Sequence, residues 1–204
     1  MKRYIYLLRH GETEFGKEKR YLGHIDCNLS SEGKYQAMRL GDIFKENKIE
    51  IKSIFSSDLI RCKDTIKLVF QGREVTYLRE LREINMGIWD GLTFDEVKSK
   101  YAEDYINRGK NISNFIPRNG ESFIQCQMRA IAVFKEIICL TTGNIAICGH
   151  SGFIRALLCN LLNKDLKEIF DIKQSYGGIN IITAYNHNFV VEGINLKNVT
   201  CESG

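Results

Sequence analysis

The apolar positions of this chain follow two rhythms in alternation: short continuous runs and longer stretches at helical spacing. Residues 5–8 are an unbroken apolar run, the pattern of a strand buried on both faces. Ser30 then stands as an N-cap, and Ala37, Leu40, Gly41 and Phe44 recur with helical period. Residues 53–56 read as a second strand, and Ser57 or Asp58 caps a helix whose apolar face is Leu59, Cys62, Ile66 and Val69. A third strand is expected at 73–78, a polar helix at 93–107, an irregular loop over a site at 111–120 and a long helix at 121–140. Residues 145–148 are another buried strand, followed by a helix through Leu161. Residues 179–185 and 189–196 read as a hairpin around Asn186-His187-Asn188, with His187 an exposed turn residue. Strands alternating with helices predict a three-layer α/β/α architecture, a mostly parallel central sheet with helices on both faces. Pro117 is the sole proline, and no repeat or shift in composition marks a boundary, so residues 1–204 read as one domain.

Composition narrows the class. The chain has 204 residues, 44% apolar and 26% charged, which is ordinary for a globular domain. The formal net charge of +4 is too small to argue for nucleic acid and is compatible with a small anionic ligand. Seven cysteines, an odd number with no Cys-x-x-Cys pair, argue against a disulfide framework and a zinc site and fit a reducing compartment. Met1-Lys2-Arg3 leads into a short apolar run ending at Arg9, unlike a signal peptide, and no stretch has the length of a membrane span. The expectation is a cytoplasmic protein with no membrane or nucleic-acid partner and no metal or cofactor. The sequence is compatible with a homodimer and fixes no oligomeric state.

Candidate chemistry concentrates where strands end. Tyr6-Leu7-Leu8 runs into Arg9-His10-Gly11, Phe55-Ser56-Ser57 into a helix carrying Arg61, and Ala146-Ile147-Cys148 into Gly149-His150. Ligands of open α/β sheets bind beyond the carboxyl ends of strands. Neighbouring parallel strands would therefore bring two imidazoles and two guanidiniums to one crevice. That set suits phosphoryl transfer: Arg binds a phosphate dianion bidentately, a transferring phosphoryl group needs positioning and charge stabilisation, and a neutral imidazole can attack phosphorus. Helix N-termini after Ser57 and Ser151 add backbone N–H groups.

Two other chemistries do not fit. Gly149-His150-Ser151-Gly152 lacks the Gly-x-Ser-x-Gly spacing of a serine nucleophile elbow. A cysteine phosphatase loop places Arg six positions after Cys; Cys148 has Ile154 there, and Arg155 comes one residue late. Cys148 is expected in the core, and His24 at the border of the pocket.

At these residues the chain resembles the histidine phosphatase superfamily, the phosphoglycerate-mutase-like group, over nearly its whole length. Leu7-Leu8-Arg9-His10-Gly11-Glu12-Thr13 is similar to the family's signature segment, continued by Gly23, Asp26, Leu29-Ser30, Gly33 and Gln36-Ala37. Ser56-Ser57-Asp58-Leu59 with Arg61, then Leu81-Arg82-Glu83 with Gly87, Trp89 and Gly91, then Gly149-His150-Ser151-Gly152, resemble the remaining motifs. The resemblance implies His10 as the nucleophile that becomes phosphohistidine, Arg9, Arg61 and His150 as holders of the phosphoryl oxygens, and Glu83 as general acid and then base. It places Thr13, Gly16, Gly23 and Ser151 around the substrate. Without the family, Glu83 is not separable from its neighbour Glu80.

Met86-Gly87-Ile88-Trp89-Asp90-Gly91 looks like the phosphatase version of its motif, and residues 117–123 are similar to a segment of α-ribazole phosphatases and of broad-specificity members. The implied function is a phosphomonoesterase for a small phosphorylated metabolite, α-ribazole 5′-phosphate among the candidates. The alternatives are a cofactor-dependent phosphoglycerate mutase and a non-catalytic phospho-ligand binding protein. One departure stands out: many members have Trp-Asn where this chain has Phe15-Gly16. With Gly16 there, either its backbone N–H substitutes for the Asn side chain or the pocket is looser.

Overall fold

Ile5, Tyr6, Leu7 and Leu8 are all buried, and their side chains alternate between two separate cores. In the computed structural model, which describes residues 2–186 and 188–199, this run lies within strand β1 (Arg3–Arg9). Ile5 and Leu7 join the core beneath α5 (Phe123–Leu140) and α6 (Ser151–Leu161). Tyr6 and Leu8 join the core beneath α1 (Ser31–Glu46) and α2 (Ile60–Val69). Period-two alternation thus divides one apolar run between two helical layers. Burying each such side chain contributes roughly 1.5–3 kcal/mol.

The sheet has six strands in the order β3-β2-β4-β1-β5-β6. Strands β2 (Ser53–Ser57), β3 (Thr76–Leu78) and β4 (Ile145–Gly149) are joined to one another and to β1 by parallel pairings. The hairpin β5 (Ile179–Tyr185) and β6 (Asn188–Leu196) adds two antiparallel pairings at one edge. The expected mostly parallel α/β/α sheet is the observed one. The register sets Arg9 opposite Gly149 and Ser56 opposite Cys148, so β1, β4 and β2 deliver their carboxyl ends side by side.

Several local expectations are revised. The stretch 93–107 is two helices, α3 (Phe94–Lys100) and α4 (Ala102–Lys110), broken at Tyr101, whose φ of −133° and ψ of 48° are not helical. The third strand spans Thr76–Leu78 only. Neither Ser57 nor Asp58 caps α2 in the expected way: its N-cap, Leu59, has no capping side chain, and the Ile60 N–H donates to Asp26 Oδ1 at 2.7 Å, 34 residues away in sequence. Helix α5 begins at Phe123, where Ser122 and Gln125 form a reciprocal capping box. Residues 111–120 are irregular, as expected. The six described cysteines are all free and, apart from Cys139, buried. His187 and Cys201 lie outside the described residues. Among the described residues, no helix is long and apolar enough to cross a membrane and no side-chain cluster could hold a metal ion.

Candidate active site

His10 follows β1 directly, its N–H donating to the Gly149 carbonyl of β4 at 3.1 Å. The turn after it is possible because two glycines meet: a Cβ on Gly11 would stand 2.3 Å from the Gly33 carbonyl oxygen, and one on Gly33 would stand 1.9 Å from that of Glu12. The His10 ring is 5% exposed, with Nδ1 2.7 Å from the Gly11 carbonyl oxygen. A carbonyl only accepts, so Nδ1 carries the proton and Nε2 keeps its lone pair. Burial, reinforced by the Arg61 and Arg9 charges, holds the imidazole well below the ordinary histidine pKa, and therefore neutral.

His150, fully buried, is the N-cap of α6, and its ring centroid lies 5.1 Å from that of His10. Arg61 Nε, a donor only, is 3.2 Å from His150 Nδ1, which must accept. The proton is then on Nε2, 2.8 Å from Ser57 Oγ. Burial and the Arg61 charge also hold this imidazole well below its ordinary value.

Arg61 projects from the first turn of α2 and is 1% exposed. Its Nη2 and Nη1 donate to the Gly23 and Ile25 carbonyls at 2.7 and 2.8 Å. Those carbonyls are fixed from the other side by Asp90, whose carboxylate accepts the N–H groups of Gly23 (2.7 Å), His24 (2.7 Å) and Ile25 (2.8 Å). Asp90 therefore holds the loop, and the loop holds the guanidinium. Arg9, at the end of β1, donates from Nη1 to the Gln174 carbonyl at 2.6 Å and stacks its Cζ 3.9 Å over the Tyr176 ring. Among the described residues, Arg9 Nε and Thr13 Oγ are buried side-chain polar atoms without a hydrogen-bond partner.

Glu83 Oε1 accepts the N–H groups of Ile84 and Phe153, both at 2.9 Å, and Oε2 accepts that of Gly152 at 3.0 Å. The carboxylate sits on the positive end of α6. A carboxylate offers roughly four lone-pair sites, so the one left open is on Oε2. Its segment is clamped by Arg129, which donates to the Glu80, Arg82 and Glu83 carbonyls and pairs with Glu121 at 2.8 Å. His24 Nε2 meets the Glu83 carbonyl oxygen at 2.9 Å, which places His24 at the border as expected. Glu80 offers this network only its backbone carbonyl, so the structure separates the two glutamates that sequence alone leaves equivalent.

The structure thus brings together His10, His150, Arg9, Arg61 and Glu83. Thr13, three residues after His10, is buried, and Ser151 opens α6 with its hydroxyl accepting from Arg155 Nη1. Two expected ligand donors are otherwise engaged. The Gly23 N–H is taken by Asp90, so Gly23 contributes its carbonyl to Arg61. The Gly16 N–H donates to the Thr13 carbonyl at 2.7 Å, and a Cβ there would stand 2.2 Å from Glu12 Cγ, so Gly16 is a packed turn residue. Asp90, Ser57, Arg129, Gln174 and Tyr176 were not anticipated as site residues, because each acts through a contact distant in sequence.

Comparisons with known proteins show what the chain as a whole is similar to. A 2,3-bisphosphoglycerate-dependent phosphoglycerate mutase of Pelagibacter ubique is 36% identical over 108 residues, which are 51% of this chain and 45% of that protein. Phosphoserine phosphatase 1 of Hydrogenobacter thermophilus is 28% identical over 204 residues, covering 98% of this chain and 94% of that one. The crystal structure of the α-ribazole phosphatase from Shigella flexneri superposes with a TM-score of 0.88 at 25% identity, covering 98% and 99% of the two chains. Residues 5–197 match the histidine phosphatase superfamily (branch 1), and the chain belongs to that family.

Proposed function

We propose that the protein is a phosphomonoesterase that works through a phosphohistidine on His10. The observation that carries this reading is the His10 ring: neutral, with Nδ1 tied to a carbonyl and Nε2 free to attack, under the charges of the buried Arg61 and the half-buried Arg9. Arg9 and Arg61 hold the phosphoryl oxygens, His150 joins them by turning its Nε2 proton from Ser57 Oγ to the ligand, and the unpartnered Arg9 Nε and Thr13 Oγ gain an acceptor when an anion binds. His10 Nε2 attacks phosphorus as the P–O bond to the leaving alcohol breaks, and that oxygen takes the proton from Glu83 Oε2. Glu83, now ionised, removes a proton from water, which attacks phosphorus, breaks the P–N bond and releases inorganic phosphate.

The test is release of inorganic phosphate from a panel of phosphomonoesters that includes an aryl phosphate, α-ribazole 5′-phosphate and O-phosphoserine. Turnover should survive exhaustive chelation, because the arginines already supply the positive charge. Loss of activity that Mg²⁺ or Zn²⁺ restores would contradict the scheme. A mutase would instead return the phosphoryl group to phosphoglycerate with no net phosphate release.

The loop under Arg61 yields a further expected result. An Asp90→Asn amide can accept with only one of its two polar atoms, so at least one of three backbone donors loses its partner. Each unsatisfied donor costs ~1–3 kcal/mol, and the loop carbonyls that aim Arg61 shift. We expect kcat/KM to fall about tenfold and inhibition by orthophosphate to weaken in parallel. A merely structural role for Asp90 would lower thermal stability and leave the orthophosphate inhibition constant unchanged.

A further inference from the structure

Arg9 lies against residues 174–178, a segment without helix or strand of its own. The Gln174 carbonyl accepts from Arg9 Nη1 at 2.6 Å, the Gly178 carbonyl accepts the Arg9 N–H at 3.0 Å, and the Tyr176 ring faces Arg9 Cζ at 3.9 Å. The Gly177 N–H donates to the His10 carbonyl at 3.2 Å. Arg9 Nε remains buried and unpartnered. An irregular segment keeps one shape only where its polar groups find partners elsewhere. Here the partners come from the edge hairpin.

Asn195 of β6 grips Ser175. The Ser175 N–H donates to Asn195 Oδ1 at 2.6 Å, and Asn195 Nδ2 donates to Ser175 Oγ at 3.1 Å. Asn180 of β5, fully buried, grips Gln174. Its Oδ1 accepts Gln174 Nε2 at 2.7 Å and the Asn195 N–H at 3.0 Å, and its Nδ2 donates to Gln174 Oε1 at 3.1 Å and to the Leu7 carbonyl at 3.2 Å. An irregularity in the hairpin makes this possible. Ile179 faces Leu196 but Ile181 faces Gly193, so β6 carries one extra residue there. Asn195 lies in that bulge at φ 55°, a left-handed conformation that Asn tolerates better than most residues. Such a bulge re-aims a side chain. A Cβ on Gly178 would stand 2.6 Å from Asn195 Oδ1, so the re-aimed amide lies directly on the loop backbone.

We propose that Asn195 is a positioning residue for Arg9: the bulge in β6 aims its amide at Ser175, and the loop so fixed presents the Gln174 carbonyl and the Tyr176 ring that orient the guanidinium toward a bound phosphoryl group. A hairpin that only closed the edge of the sheet would satisfy its backbone through its own ladder and would need no side-chain amide on the loop. A guanidinium is a rigid fork, so a small rotation of its plane loses a bidentate contact with an anion. The proposal rests on the phosphomonoesterase reading, in which Arg9 holds phosphoryl oxygens, and adds the part of the chain that aims it.

Orthophosphate binding, measured by calorimetry on the full chain, tests it in a double-mutant cycle. Asn195→Gly keeps the left-handed backbone without strain and deletes both bonds to Ser175. Its affinity for orthophosphate should fall about tenfold, the ordinary worth of one hydrogen bond to a charged group. Asn195→Asp should restore most of that, because Oδ1 still accepts the Ser175 N–H and the Ser175 hydroxyl can turn to donate to Oδ2. In Arg9→Met, which keeps an unbranched chain against Tyr176 and lacks the guanidinium, Asn195→Gly should weaken binding no further. A merely structural Asn195 would lower thermal stability in both backgrounds and leave the affinity unchanged. Unchanged affinity in folded Asn195→Gly, or the same loss of affinity in the Arg9→Met background, would overturn the assignment. A wild type that binds orthophosphate but releases none from any ester, an activated aryl phosphate included, would instead remove the phosphomonoesterase reading, and the binding cycle would still decide the role of Asn195.

Discussion

His10→Ala should leave a folded protein whose turnover is lower by at least about a thousandfold. Losses of that size or larger follow removal of a covalent nucleophile when the surrounding site stays intact. No other side chain can replace it. His150 has both ring nitrogens engaged, Nδ1 by Arg61 and Nε2 by Ser57. Cys62 and Cys148 are fully buried, and burial pushes the Cys62 thiol well above its ordinary value, which disfavours its thiolate. The fold should survive, because the His10 side chain's own hydrogen bond is to the adjacent residue and not to a distant element. Two measurements separate nucleophile from binder: steady-state turnover, which should vanish, and binding of orthophosphate, which should persist through Arg9 and Arg61. Turnover at even a tenth of wild type in purified protein would reject His10 as the nucleophile.

Glu83→Gln should slow esters with poor leaving groups by ~10²- to 10⁴-fold, the usual contribution of a positioned general acid, and activated aryl phosphates far less. An alkoxide is too strong a base to depart without a proton, whereas an aryl oxide with a low conjugate-acid pKa nearly can. The substitution also has a structural cost. If the glutamine oxygen keeps the two N–H groups that Oε1 accepts, its NH₂ faces the Gly152 N–H and one hydrogen bond is lost. That cost is the same for both substrates, so the difference between them isolates the proton. The comparison belongs to the first step, read as the phosphoenzyme burst after rapid quenching, because Glu83 also activates water in the second. Equal slowing of the burst for an alkyl and an activated aryl ester would exclude Glu83 as the acid.

The centre of the sheet was legible because β1 and β4 carry short unbroken apolar runs between polar turns, and burial on both faces is what such runs report. The convergence of Arg9, His10, Arg61 and His150 was legible for a related reason: charged residues directly after buried strands have few places to go except the carboxyl edge. Helix ends were less so. The break at Tyr101 lies in a stretch whose polar residues are compatible with a continuous helix, and backbone dihedrals at one residue divide it. The N-terminus of α2 is satisfied by Asp26 across 34 residues of sequence, which no local capping pattern encodes. Asp90 stayed hidden for the same reason, since a carboxylate that gathers three amides of a distant loop has no periodicity. The role of Glu83 came from family resemblance alone, and only the folded chain shows its oxygens on the first amides of α6 while Glu80 offers a backbone carbonyl.

The most direct test of the account is to trap the covalent intermediate. Glu83→Gln, mixed with an activated aryl phosphate labelled on phosphorus, should form the phosphoenzyme readily and hydrolyse it slowly, because the base for water is gone. After quenching in alkali, where phosphohistidine persists, peptide mapping should place a single phosphoryl group on His10, and the double variant carrying His10→Ala should hold none. A phosphoryl group on any other residue, or continued turnover with no phosphoenzyme formed, would contradict it.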